Sequence, residues 1–153
     1  MIRRIVVVCT GNICRSPMGE VVLRDRLEAA GLGVDVRSAG VSAEEAGNPI
    51  DARAASVLAE HGYAVPRHQA RAVSRDDLSA DLLLAMTDHH RRALLRQGAD
   101  PARTRLWTEF VPDAGERDVA DPWYGGRADF EETLDLIEAG APAVVEAVRA
   151  SAD

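Results

Sequence analysis

The chain contains no lysine: all 18 basic residues are arginine, set against 25 acidic ones for a formal net charge of -7. The arginines form no run, which excludes an extended nucleic-acid backbone as the main partner and leaves only a local pocket for an anion. Without lysine there is also no G-x-x-x-x-G-K-[ST] loop to cradle a nucleotide. Only two cysteines are present, Cys9 and Cys14, and no Cys and His positions have zinc-site spacing. No stretch approaches the ~20 apolar residues of a membrane span, and Ile5 to Val8 is too short for a signal-peptide core. The expected address is therefore the cytoplasm, where thiols stay reduced and a structural disulfide is a poor explanation for the two cysteines. Repeats, low-complexity segments and linkers are all missing, so residues 1–153 are expected to form a single domain. A monomer that uses no cofactor and no metal is the further expectation.

What is present alternates between strand and helix signals. Ile2 to Val8 is a β-branched, continuously apolar run, the pattern of a strand buried on both faces of a parallel sheet. Ser16 and Pro17 supply an N-cap and a first helical residue, and Met18, Val21, Val22, Leu27 and Ala30 mark an apolar face before Gly31. Strands follow at Val34–Ser38, Asp81–Met86 and Thr104–Trp107, with helices at Asp51–His61 and Asp88–Gln97. Phe130, Leu134, Ile137, Ala141, Val144 and Val148 form the face of a C-terminal helix that Pro142 should bend or interrupt. The pattern predicts an α/β fold: a three-layer αβα arrangement around a four-stranded parallel sheet, flavodoxin-like or Rossmann-like, with ligands at the carboxyl ends of the strands.

Cys9 stands at such an end. Cys9 to Arg15 joins a buried strand to a helix N-terminus, where unpaired amides and the helix dipole collect anions, and Gly11 lets successive N–H groups face one concavity. Phosphate or sulfate is the anion such a nest suits. A thiol inside that ring of donors is placed to act as a thiolate, aided by the Ser16 hydroxyl, while the planar fork of Arg15 can grip two phosphate oxygens. In-line attack on a phosphate monoester would give a phosphocysteine and an alcohol, whose oxygen needs a proton. Far along the chain, Ala120-Asp121-Pro122-Trp123-Tyr124 offers a carboxyl group beside two aromatics able to hold an aryl ring. Because Arg15 and the amides stabilise the transition-state charge, this chemistry requires no metal.

The run Cys9-Thr10-Gly11-Asn12-Ile13-Cys14-Arg15-Ser16-Pro17 resembles the signature loop of the low-molecular-weight protein tyrosine phosphatases, and Asp121-Pro122-Trp123-Tyr124-Gly125 resembles their general-acid loop. The similarity extends through Ser38-Ala39-Gly40, Gly47-Asn48-Pro49 with Asp51, and His68-Gln69-Ala70-Arg71. It implies Cys9 as nucleophile, Arg15 as phosphate clamp and Asp121 as general acid. It further implies that Thr10, Gly11, Asn12, Ile13, Cys14 and Ser16 surround the phosphate, that Ser38 and His68 support the loop, and that Trp123 and Tyr124 line the mouth with Ile13. The chain departs from the family at Glu44, where an aromatic wall is common, and at Trp123, where a tyrosine is common.

Phosphotyrosine in proteins or peptides is the expected substrate. A phosphoarginine phosphatase is the nearest alternative, although members with that activity tend to carry threonine where Ile13 stands. An arsenate reductase would need further cysteines to relay oxidation, and this chain has only Cys14 besides Cys9. From another class, an anion-binding thiol redox sensor would use the same loop without turnover. Cys14 reads either as a small buried hydrophobe or as a redox partner of Cys9. His61, His89 and His90 read as helix-surface or capping residues, and Asp118 is the other carboxylate near the acid loop.

Overall fold

The computed structural model describes residues 1–115 and 117–153. Strands β1 (Arg4–Cys9), β2 (Asp35–Gly40), β3 (Leu82–Ala85) and β4 (Thr104–Leu106) form one parallel sheet in the order β2-β1-β3-β4. The chain leaves β1 to one side, then returns past it to lay β3 on the other. A crevice therefore opens at the carboxyl end of β1, where the two connections diverge.

Side-chain alternation along β1 fills both faces of the sheet. Ile5 and Val7 pack with Met18, Val22, Phe130 and Leu134, under helices α1 (Arg15–Ala29) and α5 (Arg127–Ser151). Val6 and Val8 pack with Leu83, Leu94 and Leu106, under α4 (Asp88–Arg96). Helix α2 (Ala52–Glu60) leans on the α1/α5 side through Ala54, Val57 and Leu58, and the short α3 (Arg75–Leu78) precedes β3. No described helix is long and apolar enough to cross a membrane.

Most elements fall within two residues of their predicted bounds, but three expectations are corrected. Helix α1 begins at Arg15, not Pro17, and Cys14 occupies its N-cap position without a side-chain bond. Ser16 is instead inside the first turn and fully buried, because its hydroxyl is engaged beneath the loop. Pro142 does not interrupt α5, which runs unbroken through it. The missing N–H removes one helical bond, but Ile137, Ala141, Val144 and Val148 bury a continuous face on either side. Helix α3 was not foreseen, although Ser74 and Asp77 form a capping box around it. The predicted stop at Gly31 holds: at φ 72° it takes the left-handed turn that ends α1, with Leu32 N–H bonded to the Leu27 carbonyl.

Candidate active site

The β1–α1 loop is built around Asn12, which adopts φ 61° and is completely buried. Asparagine tolerates the left-handed region, and here its amide also knits together four pieces of chain. Nδ2 donates to the hydroxyls of Ser16 and Ser38, both at 2.9 Å, and Oδ1 accepts the Arg71 backbone N–H at 3.0 Å. The Asn12 carbonyl accepts a hydrogen bond from His68 Nε2 at 2.7 Å. Because Ser16 Oγ already accepts from Asn12, its own proton is free for the Cys9 sulfur 3.0 Å away.

The loop is pressed against the end of β2. Val41 and Ser42 donate to the carbonyls of Cys9 and Thr10, and a Cβ on Gly40 would lie 2.5 Å from the Thr10 oxygen, so only glycine fits there. Arg71, whose carbonyl accepts the Gly40 N–H, is fixed by a two-pronged ion pair to the buried Asp77 at 2.7 and 2.8 Å. Burial works against the Asp77 carboxylate, but hydrogen bonds from Arg71 and Ser74 outweigh it and hold its pKa below the usual range. This gives the unforeseen α3 its place in the site: it anchors Arg71.

On the opposite flank, His90 Nδ1 accepts the Thr87 N–H, which leaves Nε2 to donate to Thr10 Oγ1 at 2.8 Å. His90 does cap its helix as expected, but it is buried rather than on the surface. Burial, followed by the nearby Arg15 and His89, pushes its pKa down to about 3, so the ring is neutral at physiological pH.

Arg15 is 4% exposed; Nη1 donates to the Val119 carbonyl at 3.0 Å, and Nη2 lies 3.5 Å from Asp121 Oδ2. Val119 in turn donates to the Met86 carbonyl at the end of β3, which roots the Asp121 segment beside the loop. Asp118 turns away to accept the Asp88 N–H at the start of α4. Cys9, Thr10, Gly11, Ile13, Cys14, Arg15, Asp121, Trp123 and Tyr124 line one cleft of about 250 Å³, joined by Ser42, Glu44 and Glu45. The structure thus brings the predicted residues together in two tiers. Asn12, Ser16, Ser38 and His68 lie behind the wall and support it. Cys14 is buried, and its thiol pKa is pushed up to about 12, first by burial and then by Asp51, Cys9 and Asp121.

Arg53, His90 and Arg71 belong to this arrangement and were missed as site residues. Thr87-x-x-His90 and Asp51-x-Arg53 are local pairings that sequence displays but does not distinguish from ordinary surface capping.

A cleft floored by a buried thiol, faced by a guanidinium and overhung by a carboxyl group has the parts that a cysteine-based phosphate-ester site requires. Residues 4–153 match the family model described as low molecular weight phosphotyrosine protein phosphatase, and the chain belongs to that family. It is 44% identical over 157 residues to the low molecular weight protein-tyrosine-phosphatase of Streptomyces coelicolor, covering 97% of this chain and 95% of that one. Among solved structures it is similar to YfkJ from Bacillus subtilis, with a TM-score of 0.91, 29% identity and coverage of 100% and 98%. It is also similar to the YwlE arginine phosphatase, in a cysteine-to-serine mutant with a phosphorylated active-site serine, with a TM-score of 0.85, 32% identity and 95% of each chain covered.

Proposed function

We propose that residues 1–153 act as one cytoplasmic, monomeric domain that hydrolyses phosphotyrosine in proteins or peptides. The observation that supports this most is the convergence of Cys9, Arg15 and Asp121 on a single cleft from opposite ends of the chain. The phosphoryl group sits in the amide nest of residues 10–15, with Arg15 turned onto two of its oxygens. Cys9 Sγ, receiving the Ser16 hydroxyl proton in a hydrogen bond, attacks phosphorus. The S–P bond forms as the P–O bond breaks, and Asp121 delivers its proton to the departing phenolic oxygen. Water then displaces the sulfur, Asp121 takes up the proton, and phosphate leaves. Asp121 lies 3.5 Å from the Arg15 guanidinium, and that contact must open for this, since phosphate and carboxylate compete for the same guanidinium.

Ile13 and Trp123 in the cleft wall suit a flat aryl ring. A phosphoarginine substrate is the second reading, favoured by the acidic lip of Glu44 and Glu45. Reversible oxidation of Cys9, with Cys14 as the trapping thiol, is proposed as a control on the same site. Turnover of p-nitrophenyl phosphate in EDTA tests the assignment. Activity should persist in the chelator, vanish in Cys9→Ser and fall severely in Arg15→Lys, which loses the two-pronged grip. Near-normal turnover by Cys9→Ser would end this reading. Relative kcat/KM on phosphotyrosine and phosphoarginine peptides, in wild type and Ile13→Thr, decides between the two substrates.

A further inference from the structure

Outside the residues that face phosphate, one side chain joins both halves of the cleft. Arg53, in the first turn of α2, sends Nη1 to the carbonyls of Trp123 at 3.1 Å and Gly125 at 3.3 Å. Its guanidinium also lies over the Trp123 ring at 5.4 Å and over the buried Phe130 ring at 4.6 Å. The remaining nitrogens, Nε and Nη2, are held by the Asp51 carboxylate at 3.1 Å each. Asp51 donates its own backbone N–H to the Ile13 carbonyl of the phosphate loop at 2.8 Å. A continuous path therefore runs from Ile13 through Asp51 and Arg53 to both ends of the Trp123-Tyr124-Gly125 turn.

We infer that Arg53 is a positioning residue that ties the acid loop to the phosphate loop, so that Asp121 reaches the leaving oxygen. The physical case rests on how little else holds that turn. Tyr124 is 94% exposed, and the turn's internal bonds are Gly125 N–H to the Pro122 carbonyl and Trp123 N–H to Asp121 Oδ1. Arg15 and Met86 fix Val119, which lies before Asp121. After it, Pro122 is buried and Gly126 is bonded to Asp129 at the start of α5, and among the described residues the side-chain hydrogen bonds that reach the exposed Trp123–Gly125 stretch from another element come from Arg53. A planar fork can serve two carbonyls, a carboxylate and two ring faces at once, which a lysine ammonium cannot.

The inference rests on the phosphatase reading for its catalytic half, and its test has two arms. The first needs no turnover. The chain has two tryptophans; Trp107 is fully buried, so acrylamide quenching of fluorescence reports chiefly on Trp123. Arg53→Ala should raise the quenching constant, with Arg53→Lys between it and wild type. The second arm is the presteady-state release of a series of substituted phenols from their phosphates. In Arg53→Ala the loss should grow with leaving-group pKa to about tenfold for phenol itself, a fraction of the 10²–10⁴ that general acid catalysis supplies. Asp51→Asn keeps the helix cap but weakens the hold on Arg53, and should shift both readouts in the same direction by less.

Unchanged Trp123 quenching in Arg53→Ala overturns the tether whatever the activity. Raised quenching with a leaving-group dependence identical to wild type overturns the positioning role. A wild-type protein that never turns over nitrophenyl phosphate removes the phosphatase reading and the catalytic half with it, while the quenching arm still decides the tether.

Discussion

The two loops that meet over the cleft are built in opposite ways. In the phosphate loop Cys9, Asn12 and Arg15 are 3%, 0% and 4% exposed, and Asn12 alone is held by four hydrogen bonds from separate parts of the chain. In the acid loop the Asp121 side chain is 46% exposed and Trp123 40%, and the segment has only turn structure. The difference suits the work proposed for each. Transition-state charge is best met by donors that need no rearrangement, so their positions are over-determined. A proton donor must admit the substrate and let the alcohol leave, which a locked wall would prevent.

The largest test of this contrast is Asp121→Asn. If the acid loop only delivers a proton, phenyl phosphate cleavage should slow by about 10²–10⁴-fold, with the loss smallest for the most acidic phenols. Presteady-state phenol release measures this. A uniform loss across the series would mean that Asp121 serves binding, and the division of labour between the loops would fail.

Asn12→Ala should next show how far the phosphate loop depends on one amide. Ser38 Oγ and the Arg71 N–H lose their partner, at about 1–3 kcal/mol for each buried group left unpaired. Alanine at φ 61° adds backbone strain, which Asn12→Gly would relieve. Thermal melting should fall by roughly 6–20 °C in Asn12→Ala. Equal melting of Asn12→Ala and wild type would show the loop to be held by its backbone alone.

Cys14 sharpens the comparison chemically. After peroxide turns the Cys9 thiol into a sulfenic acid, attack by Cys14 sulfur would release water and form the disulfide. A thiol pushed up to about 12 is protonated at neutral pH, and its thiolate fraction rises about tenfold per pH unit through 7 to 9. Protection by Cys14 should therefore grow with pH. Mass spectrometry of peroxide-treated protein at pH 7 and pH 9 would check it; equal disulfide yields at early times would contradict the burial argument.

The smallest effect belongs to the rim. Glu44 is exposed at the mouth, where a charge contact is worth up to ~1 kcal/mol, so Glu44→Gln should improve acidic phosphopeptides by at most about fivefold. The gain should disappear in high salt.

The contrast also explains what could be read from sequence. The phosphate loop is contiguous, so Cys9, Gly11, Arg15 and the strand before them were legible as one unit. Its supports were not: Arg71 and His90 reach it across 59 and 80 positions, and although Arg71 lies in a segment that resembles the family and His90 in a capping pair, neither pattern ties its side chain to the loop. Ser16 was misread as a cap because its residue type fits that role on the helix, whereas burial assigns its hydroxyl to Cys9. The acid loop was found by its motif, yet Arg53 was not, since a half-exposed arginine beside an aspartate looks like any surface pair. Strand order and the unbroken α5 depended on packing that periodicity outlines but does not resolve.

At the far end of the sheet, the Ile2 N–H donates to the hydroxyl of Ser151 at 2.9 Å, clasping the beginning of the chain to the end of α5. Ile2 is seven residues before Cys9, the last residue of β1, about 23 Å at the rise of a strand. A label or surface attachment placed at Ile2 or Ser151 would thus lie on the side away from the cleft. The same proximity means that a force or crosslink applied between Ile2 and Ser151 would load β1 against α5 and leave the phosphate loop whole.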